Sequence, residues 1–92
     1  MKQIQPVSLW YNGQMIQATN LDAYVVNDNL QDTATFWWGL YSEGDEPGTI
    51  GKCVASGNLS MIGQSYIDWN NDTDINDAAY TWIAEQLGLT II

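Results

Sequence analysis

The sequence predicts an α+β fold: a mostly antiparallel β-sheet of five to six strands with one C-terminal α-helix packed on a face. Three observations carry that reading. The first two thirds of the chain hold β-type runs separated by turn residues. Asn12-Gly13 is the pair best suited to a two-residue type I′ hairpin. An apolar stripe of helical period falls near the end, at Ile75, Ala79, Trp82, Ile83 and Leu87. At 92 residues the chain makes one domain, divided into a β-rich sheet over 1–62, a turn and acidic loop over 63–75, a helix over 76–88 and a docked tail over 89–92.

The hairpin turn sets a register that pairs Tyr11 with Gln14, Trp10 with Met15 and Leu9 with Ile16. Val7, Leu9, Tyr11, Ile16 and Ala18 then share one face, while Ser8, Trp10, Met15 and Gln17 share the other. Pro6 fits the start of the first strand, where no ladder donor is needed. Leu21–Val26 is a second β-type run, and 27–32 supplies turn chemistry. Thr33–Ser42 is the most β-prone segment, apolar on both faces around Phe36-Trp37-Trp38. Gly39 beside two tryptophans marks a bulge or a close backbone approach.

Glu43-Gly44-Asp45-Glu46-Pro47-Gly48 reads as a loop, and Lys52–Ile62 as either one long strand bent at Gly57, the preferred reading, or a hairpin across Ser56-Gly57-Asn58. Gly63 ends it, and Gln64–Trp69 fits a short helical turn. Asp74 or Asn76 can cap the final helix, Asp77 suits its first turn, and Gly88 ends it. Thr90-Ile91-Ile92 is too apolar for a loose tail and is expected to add an edge strand or dock on a neighbour.

Composition bounds the chemistry. Eleven carboxylates face two lysines for a formal charge of −9, with no arginine and no histidine. Without imidazole, the usual acid–base group near neutral pH is missing, and without guanidinium so is the fork that clamps phosphate. The charge opposes binding to nucleic acid or anionic membrane, so neither is expected as a partner. Cys53 stands alone, which excludes an intrachain disulfide and reads as a buried small hydrophobe. No apolar run suits a signal peptide, and a chain made in a reducing cytoplasm is expected.

Two acidic clusters invite site readings. Asp68, Asn70 and Asp72 match the opening of a calcium loop, but Thr73 and Ala79 stand where the turn glycine and bidentate glutamate belong. The expectation is therefore no metal and no cofactor, with capping and solvation explaining these residues. Glu43, Asp45 and Glu46 are candidate contacts for a basic partner; in a solvated loop they lack the environment that tunes catalytic carboxyls, and no catalytic residue is assigned.

The aromatics are the more informative set. Five Trp, five Tyr and one Phe exceed the needs of so small a core. Adjacent Trp37 and Trp38 point oppositely in a strand, so a second surface must carry large aromatics, the usual mark of a protein or carbohydrate contact. Trp10, Trp37, Trp38, Leu89, Ile91 and Ile92 are the expected interface residues.

The run Gly63-Gln64-Ser65-Tyr66-Ile67-Asp68-Trp69 has the form G-x-x-Y-x-x-W, and Gln86-Leu87-Gly88-Leu89 closes the final helix. Together with the aromatic strand 33–42, these segments resemble small virion-associated structural proteins of tailed bacteriophages. The resemblance implies a non-enzymatic head-decoration, fibre-anchoring or tail-accessory subunit located in the virion. Its partners would be other virion proteins or copies of itself in a homo-oligomer. The competing expectation is an acidic phage-encoded inhibitor occupying a basic nucleic-acid-binding surface of a host protein. A carbohydrate-binding module on Trp and Tyr platforms comes third.

Overall fold

The computed structural model describes residues 1–46 and 48–92; Pro47 of the acidic loop lies outside them. Four strands, β1 (Lys2–Tyr11), β2 (Gln14–Asp28), β3 (Thr33–Glu43) and β4 (Ile50–Ile62), precede two helices, α1 (Gly63–Asn70) and α2 (Ile75–Leu87). The strands form an antiparallel meander in the order β1-β2-β3-β4. The architecture is thus α+β with four strands and two helices, where the sequence suggested five to six strands and one helix. Two causes account for the difference. Leu21–Val26 is no separate strand but the continuation of β2, and Gln64–Trp69 lies inside a complete helix.

The β1–β2 turn is as the sequence specified. Asn12 and Gly13 take φ of 50° and 79°, the left-handed values a type I′ turn needs, and the register pairs Trp10 with Met15 and Leu9 with Ile16. Pro6 departs from expectation. It lies mid-strand, where the β1–β2 register shifts between Gln3 and Val7. A bulge suits a residue with no N–H. This irregularity lets both Ile4 and Val7 face the core.

Both helices pack on one sheet face, against Phe36, Leu40, Met61, Leu21 and Ile4. From α1 come Tyr66 and Trp69, and from α2 Ala79, Tyr80, Ile83 and Ala84. Phe36 lies at the centre, edge-on to Trp69 with ring centroids 5.3 Å apart and tilted to Trp82 at 6.3 Å. Asp74 caps α2, accepting from the Asp77 N–H at 3.0 Å. Gly88 ends it at φ 72°, and the Leu89 N–H returns to the Ala84 carbonyl at 2.8 Å. Within the predicted stripe, Ile75 is half-exposed, and Tyr80 takes the buried place instead.

The tail docks on β1. Gln5 N–H donates to the Thr90 carbonyl at 2.9 Å, Ile92 N–H donates to the Gln3 carbonyl at 3.0 Å, and Ile4 bridges Ile91. It adds a single β-bridge rather than a full strand. β4 keeps regular register through Gly57, which pairs with Trp38 and lies under its ring, and the β3–β4 irregularities fall between Leu40 and Glu43.

Candidate interaction surfaces

The reverse face of the sheet carries no helix among the described residues. Strand alternation places Trp10, Met15, Asn20, Asp22 and Tyr24 there from the hairpin, and Trp37, Gly39 and Tyr41 from β3. Trp10 is 71% exposed, Met15 59% and Tyr24 54%. Tyr24 and Trp37 are cross-strand partners with stacked rings, 5.0 Å apart and 26° from parallel. This face bears two carboxylates, Asp22 and, at the end of β3, Glu43, in a chain of eleven acids. Burial raises the Tyr41 phenol above its usual range, with neighbouring Cys53 contributing. Cys53, paired with Tyr41, is half-exposed rather than buried; its thiol donates to the Ala55 carbonyl at 3.3 Å.

The expected interface residues divide three ways. Trp10 and Trp37 lie on the reverse face. Trp38 lies on the helix side, packed against the core, so its position serves the fold. Leu89 and Ile91 are half-buried against the core, and Ile92 is exposed. Met15, Tyr24 and Tyr41 join the aromatic face without having been singled out. The alternation around Asn12-Gly13 already placed Met15 beside Trp10. The β2–β3 register that brings Tyr24 to Trp37 depends on a register shift past Val25 and has no local sequence signal.

The acids lie elsewhere. Asp68, Asp72, Asp77 and Glu85 surround a groove of about 410 Å³ between α1 and α2, with Trp69 and Trp82 in its lining. Lys2 reaches Asp77 at 2.8 Å, which raises the lysine pKa, and its ammonium also lies 5.9 Å from the Tyr80 ring centroid. The calcium-like set does not converge. Asp68 and Asn70 stand two positions apart on α1, Asp68 accepts from the Gln64 amide at 2.8 Å, and Asp72 accepts from the Asp74 N–H at 3.0 Å. No group of three or more His, Cys, Asp or Glu suited to a metal ion occurs among the described residues. Glu43 ends β3, paired with Ile50, while Asp45 and Glu46 stand in the exposed β3–β4 loop, where Thr49 N–H donates to the Glu46 carbonyl at 3.1 Å.

Two tyrosine hydroxyls tie the helices to β2. Tyr66 donates to Asp28 at 2.8 Å, and this bond holds its phenol pKa above the ordinary value. Tyr80 donates to Asp22 at 3.2 Å and accepts from the Ala23 N–H at 3.3 Å; burial raises its pKa.

No protein family, curated protein or solved structure matches the chain.

Proposed function

We propose that this chain is a non-enzymatic structural subunit of a larger assembly, of the virion-accessory kind, acting in head decoration, fibre anchoring or a tail component. It docks on neighbouring virion proteins or on copies of itself through the reverse face of the sheet. The observation that carries this reading is Trp10, Met15 and Tyr24 standing more than half exposed on a face whose two carboxylates, Asp22 and Glu43, lie apart from Trp10 and Met15. An exposed tryptophan forgoes on the order of 2 kcal/mol of transfer free energy, which contact with a neighbour recovers. A sparsely charged face in an acidic chain is where copies meet the least repulsion.

Size-exclusion chromatography with light scattering tests the reading. The wild-type protein is expected to form a defined oligomer or to bind purified virion components, and Trp10→Ser with Tyr24→Ser to abolish either association. A strictly monomeric chain that binds no virion component would sink it.

The second reading, an acidic inhibitor of a basic nucleic-acid-binding surface, draws on the Asp68, Asp72, Asp77 and Glu85 groove. It requires that carboxylates rather than tryptophans dominate binding and that affinity falls steeply with salt. Carbohydrate binding has less support. Tyr24 and Trp37 stack on each other, so each offers less of its ring to a sugar.

A further inference from the structure

β2 outruns its neighbour. Its pairing with β1 ends at Lys2↔Leu21, while its pairing with β3 continues to Asp28↔Ala34. No strand pairs with that side of β2 beyond Leu21 among the described residues. The Ala23 N–H points to the open side, where the Tyr80 hydroxyl stands in for a strand carbonyl at 3.3 Å. Strand alternation turns the N–H and C=O of Val25 the same way. Both groups, with the Ala23 carbonyl, form a short open ladder.

Directly beside it is a largely apolar cavity of about 150 Å³ lined by Ala23, Val25, Phe36, Trp69, Ile75 and Ala79, with Tyr24 and Asn76 completing its wall. Val25 and Ile75 at its margin are 47% and 50% exposed. The surroundings are acidic: Asp22 and Asp28 stand at the two ends of the open segment, and Asp74 precedes Ile75.

We propose that this edge accepts an extended segment of a partner protein, one aliphatic side chain of which seats in the cavity while flanking lysine or arginine meets Asp22, Asp28 and Asp74. Main-chain pairing to a strand edge supplies affinity and an adjoining pocket supplies selectivity. Charge complementarity chooses a basic segment over a second copy of this chain, whose own excess of acid would be repelled here. The surface shares Asp22 and Tyr24 with the aromatic face, but Trp69, Ile75 and Ala79 of the helices line its cavity and belong to it alone.

The test uses isotope-labelled protein and a synthetic peptide, Lys-Thr-Val-Thr-Leu-Thr-Lys, acetylated and amidated. Binding is expected to shift the Val25 amide and the Trp69 indole resonances and to slow Val25 hydrogen exchange at least tenfold. Ala79→Leu, which fills the cavity, weakens affinity at least tenfold. Should that variant unfold, Ile75→Trp at the half-exposed rim does the same work. The peptide with glutamate in place of both lysines binds at least tenfold more weakly. The proposal is overturned by an unshifted Val25 at millimolar peptide, or by binding that neither cavity variant weakens. It is equally overturned by Val25 protection in a peptide-free dimer, which would make a second copy the occupant.

Discussion

The indole of Trp37 lies over Gly39, two residues along β3, so closely that a Cβ on the glycine would stand 2.5 Å from Cη2. Both residues belong to the reverse face, and the ring also stacks with Tyr24 across the β2–β3 ladder at 5.0 Å. Gly39 is therefore a site of close approach, which gives the tryptophan room to lie down along the strand.

Gly39→Ala is expected to push the indole out of the Tyr24 stack and to cost about 1 kcal/mol, the value of an aromatic pair. Urea denaturation followed by tryptophan fluorescence measures it. In a Trp37→Ala background the same substitution should cost much less. Equal costs in both backgrounds would show that the ring is not the obstacle.

Exposure and stability should separate among the aromatics. Phe36, 2% exposed between Trp69 and Trp82, is expected to lose about 3–5 kcal/mol on truncation to alanine. Trp10→Ala should stay within about 0.5 kcal/mol in the monomer. Denaturation midpoints at low protein concentration check both.

Alkaline pH should destabilise the fold. The pKa values of Tyr66 and Tyr80 are raised from 10.0, the first chiefly by its bond to Asp28 and the second chiefly by burial; Lys2 is raised from 10.5 by its bond to Asp77. Each group releases its proton later in the folded chain than in the unfolded one. Their contribution is complete below the ordinary values and disappears as pH climbs through the raised ones. Urea midpoints between pH 8 and 11.5 should fall above about pH 10, and the fall should be smaller in Tyr66→Phe. A flat profile would refute the assignment.

The helix ends offer a local check. Asp74→Ala removes the acceptor for the Asp77 N–H, and Gly88→Ala places a Cβ on a residue at φ 72°. Each is expected to cost about 1 kcal/mol, seen as a lower Tm by circular dichroism.

Part of this fold is legible in local chemistry alone. Asn12-Gly13 determines its own turn, and with it the faces of Trp10 and Met15. Asp74 and Gly88 bound α2 for reasons contained within a few residues. What could not be read depended on distant partners. The irregularities near Pro6, Thr19 and Val26 reset which side chains face the helices, and each is defined only by its pairing strand. The burial of Tyr80 reflects a long-range demand, the N–H of Ala23, that no window of sequence around α2 contains. Trp38 was placed among contact residues because its alternation with Trp37 was clear, while which of the two met the helices was not.

The bridge between Ile4 and Ile91 also decides how the molecule bears tension. The tail runs antiparallel to β1, with Ile92 beside Gln3 and Thr90 beside Gln5. Force applied at residues 1 and 92 therefore enters the ladder at one end and loads its hydrogen bonds in sequence, so that it unzips instead of shearing. Strain crossing the sheet from β1 to β4 passes through three long ladders in turn, each of which shares the load over all its bonds at once.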